Sequence, residues 1–284
     1  MEWWQAALLG LVEGITEYLP ISSTGHLILA SFLLRLDRPE YKDALDAFEI
    51  VIQGGAILAV LGLYAQRVAQ IARGLLGRDP AGLRLLVCIA VAFVPSAVVG
   101  LLLRHAIKQY LFHPVPVLVA LFAGGLWMIW LDRARTPAQG AELETLSVRS
   151  ALAIGLFQCA ALWPGTSRSM MTIAGGMLLG LRARDAAEFS FLLGVPTLGA
   201  ACVWELLQNL LHAAHDHTPT LFEQLGVGAC AVGFAVAAIA AALAVRWLVG
   251  FLERHGLALF GWYRIALSVV LGALLFSGAI ALSA

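Results

Sequence analysis

Long apolar runs, closed by short clusters of charge, set the pattern of this chain. Six runs are long enough to cross roughly 30 Å of hydrocarbon as helices. They lie at about 45–64, 84–103, 114–131, 187–207, 224–249 and 262–282. Two further apolar regions, about 3–36 and 150–181, are each interrupted by a polar motif. The first interruption reads E-G-I-T-E-Y-L-P-I-S-S-T-G-H at 13–26 and the second W-P-G-T-S-R-S at 163–169. Pro20 removes a backbone donor and Gly25 loosens the turn, so one continuous helix is not expected across the first motif. Irregular backbone survives at membrane depth only where protein buries it or it lines a wet cavity. Each interrupted region therefore reads as a re-entrant hairpin that enters and leaves on one side. The expected fold is all-α and polytopic, with six transmembrane helices plus two re-entrant helical hairpins.

The pattern also repeats at about half the chain length. Gly10-Leu11 followed by Pro20-Ile21-Ser22-Ser23 resembles Gly155-Leu156 followed by Pro164-Gly165-Thr166-Ser167. Asp46-Ala47-Phe48-Glu49 likewise resembles Asp185-Ala186-Ala187-Glu188. Residues 1–284 thus read as one membrane domain built from repeats at about 1–135 and 148–284. Each repeat holds one hairpin and three spans, and three is odd, so the second repeat is expected upside down relative to the first. Inverted repeats with discontinuous helices form a transporter-like architecture. Chance similarity within an apolar chain of low complexity is the competing account.

Composition narrows the class. The chain is 61% hydrophobic and 13% charged, against about a quarter charged for soluble domains. Its formal net charge is zero, so nothing points to nucleic acid. Cys88, Cys159, Cys202 and Cys230 lie in apolar surroundings without C-x-x-C spacing and read as small core residues. No basic run precedes the first apolar stretch, so no cleaved signal is expected, and Trp3 and Trp4 read as an interfacial anchor. The basic residues then test the topology. One side collects Arg67, Arg73, Arg78, Arg84, Arg133, Arg135, Arg149, Arg182, Arg184, Arg246, Arg254 and Arg264. The other holds Arg35, Arg38, Lys42, Arg104 and Lys108, and its 208–222 loop has neither Lys nor Arg. The positive-inside bias puts the first set in the cytoplasm and both termini outside.

The motifs carry the chemistry. Glu13 and Glu17 share a helix face at i, i+4 spacing. Such a pair suits a hard divalent cation, nucleophile activation or proton transfer, or a structural pair bonded to backbone or to Arg168. Ser22, Ser23 and Thr24 could be ordinary helix caps. His26 lies three residues beyond Ser23, and a serine beside a potential base is the minimal activated nucleophile. In the second motif, Arg168 has no acidic neighbour in sequence and needs an anionic partner, either Glu13 and Glu17 or a bound phosphate. Gly165, Thr166, Ser167 and Ser169 precede or open an apolar helix at 170–181 whose first N–H groups can face an anion. Carboxylates, a hydroxyl, a histidine and an arginine together fit phosphoryl transfer to serine or water.

Lower-ranked residues have cheaper accounts. Glu49 and Glu188 read as span starts, where a carboxylate complements the helix dipole, with cavity lining as the alternative. Gln53 and Gln158 are candidate cavity residues. His212, His215, Asp216 and His217 read as a solvated outer loop rather than a metal site.

At these residues the chain resembles the undecaprenyl-pyrophosphate phosphatase family of the bacitracin-resistance type. The two cassettes carry the resemblance, with F-E-I-V-I-Q at 48–53 and E-F-S-F-L-L at 188–193. The resemblance runs nearly end to end. It implies an integral inner-membrane enzyme with both termini and the active-site opening periplasmic. Such an enzyme removes the terminal phosphate of C55 isoprenoid pyrophosphate and returns the monophosphate carrier to peptidoglycan synthesis, which underlies bacitracin resistance. It assigns the essential positions to Glu13, Glu17, Ser23, His26 and Arg168. Ser22, Thr24, Gly165, Thr166, Ser167 and Ser169 are then expected to bind substrate, and Glu13 and Glu17 to hold Mg or Ca. Met170-Met171 departs from the family pattern and could narrow the anion loop. The acid-phosphatase-like membrane family is excluded, because its S-R-x5-H box would need histidine where Ala174 stands. A lipid-phosphate carrier on the same scaffold is the competing function, and the oligomeric state is open, a homodimer included.

Overall fold

The computed structural model describes residues 1–36, 42–134, 140–216 and 219–278. Arg38, Arg135, His217 and the end of the sixth predicted span lie outside them. The described residues are largely helical: α1 Trp3–Thr16, α2 Ser23–Leu33, α3 Lys42–Leu63, α4 Ala65–Leu75, α5 Pro80–Tyr110, α6 Pro114–Ala134, α7 Val148–Ala160, α8 Arg168–Leu178, α9 Ala183–Asp216, α10 Leu221–Leu225, α11 Val227–His255 and α12 Ala258–Phe276. Six of these (α3, α5, α6, α9, α11 and α12) are long and apolar enough to cross a membrane, so this is a multi-pass membrane protein. They correspond one for one to the six expected spans. Several overrun the apolar run, since a helix need not stop where the hydrocarbon does; α9 continues to Asp216 through much of the stretch expected to be an outer loop.

Local chemistry explains the boundaries. The Asp79 side chain accepts from Gly82 N at 2.9 Å and Pro80 opens α5, a cap followed by a residue that needs no donor. Ser147 caps α7 through Ser150 N at 3.0 Å. Both carboxylate oxygens of Asp132 take the first N–H groups of α12, from Leu257 and Ala258, at 3.1 and 3.2 Å. The two interrupted regions each give two short helices. At about 1.5 Å per residue, neither α1 and α2 nor α7 and α8 is long enough to cross alone.

The chain divides into two compact units that interleave its sequence halves. The first gathers Met1–Tyr18, Ser23–Leu63 and Gly194–Val245. Within it α1 packs on α2 and α3, around a core that includes Leu9, Leu27, Leu45, Phe48, Ile52 and Cys230. The second gathers Leu19–Ser22, Tyr64–Leu193 and the chain from Arg246. Within it α6 packs on α12, α5 on α4 and α7, and α7 on α8. Apolar side chains are plentiful on the outside as well; Leu102 is 77% exposed. Such surface is uncommon on a soluble protein and is what a bilayer would cover.

Cys88 and Cys230 are buried, and none of the four cysteines forms a disulfide. Glu188 does not begin its helix, as the sequence suggested. It lies inside α9, where it accepts from Arg67 Nε at 2.6 Å, and Arg67 also pairs with Glu144. Glu49 likewise lies well inside α3.

Candidate active site

The first motif is a helix end, a break and a new helix. Glu13 is 1% and Glu17 7% exposed on the last turns of α1. Ser23 opens α2, and its hydroxyl donates to Glu17 Oε2 at 2.8 Å. A hydroxyl bonded to a carboxylate is a nucleophile with its base already in reach. Sequence spacing alone had put Ser23 beside His26. His26 is one turn along the same helix and half-buried, with Thr24 also half-buried, and Glu17 is the acceptor of the Ser23 hydroxyl. The reason is the break: it folds α2 back onto α1, which no local pattern encodes.

Two buried carboxylates one turn apart are a hard-oxygen donor set. Among the described residues no group of three or more His, Cys, Asp or Glu gathers to hold a metal ion. The pair fits a cation that completes its shell with water and phosphate oxygens, as Mg does. Cys202 lies in the same unit, its thiol donating to Ile50 O at 3.2 Å, with Gln53 Oε1 3.6 Å away.

The second motif is built on a glycine and a strained serine. Gly165 has φ 91° and a Cβ there would run into Val117 O, so only glycine fits this turn. Ser167 has φ 75° and caps α8, its Oγ accepting from Met170 N at 3.3 Å. Ser167 is thus the N-cap of α8, a role the sequence suggested only for Ser22, Ser23 and Thr24. Arg168 is the first residue of α8, half-buried, and donates from Nη1 to Ser190 O at 2.9 Å. Thr172 Oγ1 meets Ser190 Oγ at 2.6 Å, which ties α8 to α9 behind the arginine. Sequence reasoning passed over Ser190, whose only signal was a hydroxyl in the E-F-S-F-L-L match.

Residues 19–22 belong with this second group. Ser169 is fully buried and its hydroxyl donates to Leu19 O at 2.9 Å. Its hydroxyl therefore ties the first motif's break to the start of α8. Ser22, also buried, has φ 73°. Met170, suspected of narrowing the loop, is 1% exposed, and its methyl group lies against Gly124 of α6.

Arg264 corrects the charge count. It was assigned to the cytoplasmic set, but it is fully buried on α12. Its guanidinium donates to Gly165 O at 2.8 Å, Thr166 O at 3.0 Å, Ala120 O at 3.1 Å, Leu121 O at 3.3 Å and Pro20 O at 3.4 Å. Counting arginines along a sequence cannot tell a headgroup contact from a core residue. Without Arg264 the cytoplasmic set falls by one and the bias keeps its direction.

Comparison with known proteins agrees with the cassettes. A family model described as bacitracin resistance protein BacA matches residues 6–270. The undecaprenyl-diphosphatase of Sorangium cellulosum is 49% identical, over 95% of this chain and 85% of its own. Undecaprenyl-diphosphatase 2 of Rhodospirillum rubrum is 45% identical over 99% and 97%. The undecaprenyl-diphosphatase of Cereibacter sphaeroides is 44% identical over 95% and 96%. With a family model spanning both broken helices, and relatives that align almost throughout, this chain belongs to the bacitracin resistance protein BacA family.

Proposed function

We propose that this protein is an undecaprenyl-diphosphatase, hydrolysing the isoprenoid pyrophosphate to the monophosphate and inorganic phosphate. The observation that carries the reading is the 2.8 Å hydrogen bond from the Ser23 hydroxyl to Glu17. The relatives' names speak of the same hydrolysis, and the carrier alternative draws no support from them. The isoprenoid tail lies in the bilayer among the apolar helix faces. Arg168 and the 165–169 backbone hold the pyrophosphate, while Ser167 and Ser169 keep that loop in shape. Ser22, Thr24 and Thr166 contribute to substrate binding.

Glu17 takes the Ser23 proton as Oγ attacks the terminal phosphorus. The bond from that phosphorus to the bridging oxygen breaks, and the lipid monophosphate leaves. His26, on the same helix as Ser23, supplies the proton or orients the water that next attacks the phosphoserine. Water then releases inorganic phosphate and restores the hydroxyl. Glu13 and Glu17 would hold a divalent cation, which supplies charge neutralisation when bound. The protein is placed in the bacterial inner membrane. The interrupted regions are re-entrant, the repeats are inverted, and both termini and the site's opening are periplasmic.

The test is phosphate release from undecaprenyl pyrophosphate by pure protein in detergent. Wild type is expected to release phosphate, and Ser23→Ala to lose at least about 100-fold in kcat. Ser23→Ala at wild-type turnover would make water the nucleophile and Ser23 a binding group. A chelator that abolishes wild-type release, with Mg restoring it, supports the cation on the glutamates; unchanged release removes it.

A further inference from the structure

We infer that Arg264 is a positioning residue for the phosphate loop, one that fixes the direction of its peptides and places a permanent positive charge behind it. The inference rests on the hydrolytic reading above. A guanidinium has five N–H donors and stays charged in proteins. Here five carbonyls receive them: Pro20, Gly165, Thr166, Ala120 and Leu121. None of the five is a carboxylate. A fully buried cation is far more costly than a buried neutral donor. An amide has two N–H donors and would leave three of the five carbonyls unbonded, whereas the guanidinium fork reaches all five and sets a positive charge behind a loop that an anion would approach.

Geometry says how the residue acts. Three of the five carbonyls belong to the two polar motifs, Pro20 in the first and Gly165 and Thr166 in the second. Carbonyl and N–H point to opposite sides of a trans peptide. Turning the Thr166 carbonyl onto Arg264 turns the Ser167 N–H away from it, and the positive φ of Ser167 keeps that posture. The Thr166 N–H is taken by Trp163 O at 3.1 Å, so the N–H groups offered to an anion begin at Ser167 and continue into the start of α8. The same side chain holds the Pro20 carbonyl, a short step ahead of Ser23 in the chain. Its approach is possible because residue 124 is glycine; a Cβ there would collide with Nη2.

The experiment compares wild type, Arg264→Gln, Arg264→Lys and Gly124→Ala on monodisperse, folded protein. It reads kcat, KM and inhibition by inorganic phosphate. Arg264→Gln is expected to lose about 100-fold in kcat and to weaken phosphate inhibition by about 10-fold. Arg264→Lys keeps the charge but not the fork, so phosphate inhibition is expected within about 3-fold of wild type while kcat still falls. Folded Arg264→Gln with kcat and phosphate inhibition both near wild type overturns the proposal. So does a loss of activity that follows only the unfolded fraction. Should Arg264→Gln not fold, Gly124→Ala decides: displacing the guanidinium is expected to cost about 10-fold in kcat, and wild-type kcat overturns the proposal. A wild type that releases no phosphate fails the hydrolytic reading and takes this one with it.

Discussion

Ser22 and Ser167 hold nearly the same backbone posture, φ 73° and 75°, each immediately ahead of a short helix. Each follows a first short helix, α1 or α7, that packs on the second. Two stretches about half a chain apart thus solve one problem alike: how to stop a helix inside apolar surroundings and start another. What they display differs. The first break has carboxylates before it and a hydroxyl and histidine after it. The second has a glycine turn before its helix and an arginine as the helix's first residue. One backbone device, used twice, presents a hydroxyl bonded to a carboxylate in one case and an arginine after a glycine turn in the other. A non-glycine residue at positive φ costs of order 1 kcal/mol or more; Ser22 and Ser167 carry that cost at the two motifs, and Arg35, just past α2, carries it outside them.

The comparison breaks most sharply at Glu17. Glu17→Gln keeps shape but removes the carboxylate that accepts from Ser23, and kcat is expected to fall about 1000-fold with little change in KM. A fall confined to KM would put Glu17 among the binding groups and erase the division of labour. Arg168→Lys probes the other segment. It keeps charge and loses the planar fork, so kcat/KM should drop roughly 10- to 100-fold, with a visible rise in KM; equal KM values would say that Arg168 does not hold substrate. Gly165→Ala separates backbone from side chain. The substitution meets both a left-handed φ and the Val117 carbonyl, and about 1–3 kcal/mol of stability should be lost, seen as a lower thermal midpoint in detergent. An unchanged midpoint would mean the loop relaxes freely.

The smallest effect belongs to the surface joint outside either motif. The Arg67 guanidinium, hydrogen-bonded to Glu144, holds that carboxyl below its ordinary value of 4.5. A depressed carboxylate stabilises the fold above its unfolded pKa, and the contribution disappears as pH falls through the folded value. Glu144→Gln should therefore cost under about 1 kcal/mol at neutral pH, since the pair is largely solvated. The difference from wild type should vanish well below pH 4.5, measured by thermal unfolding against pH. A difference that persists in acid would assign Glu144 a role other than ion pairing.

Much was legible in the chain itself. Hydropathy and helix length gave the all-α, multi-pass class and the six spans, because the rise per residue and the bilayer thickness are fixed quantities. Pro20 marked the first break and the W-P-G-T-S-R-S motif the second, because helix termination is a local matter; Gly25, expected at the turn, lies inside α2. The cassettes singled out Glu13, Glu17, Ser23, His26 and Arg168 as candidates for the chemistry. Tertiary structure decided which atoms meet. That Ser23 donates to Glu17 across the break, that Arg168 rests on Ser190, and that Ser169 reaches Leu19 and Arg264 gathers the carbonyls of Pro20, Gly165 and Thr166 from far along the chain are contacts that packing sets. Sequence placed Arg264 among the cytoplasmic arginines and read Glu188 as a span start, since an arginine or a glutamate near the end of an apolar run looks the same whether it faces headgroups or protein. Local pattern determines which elements form and where they stop; whether a charged side chain ends in the core depends on which backbone carbonyls the packed helices bring to it.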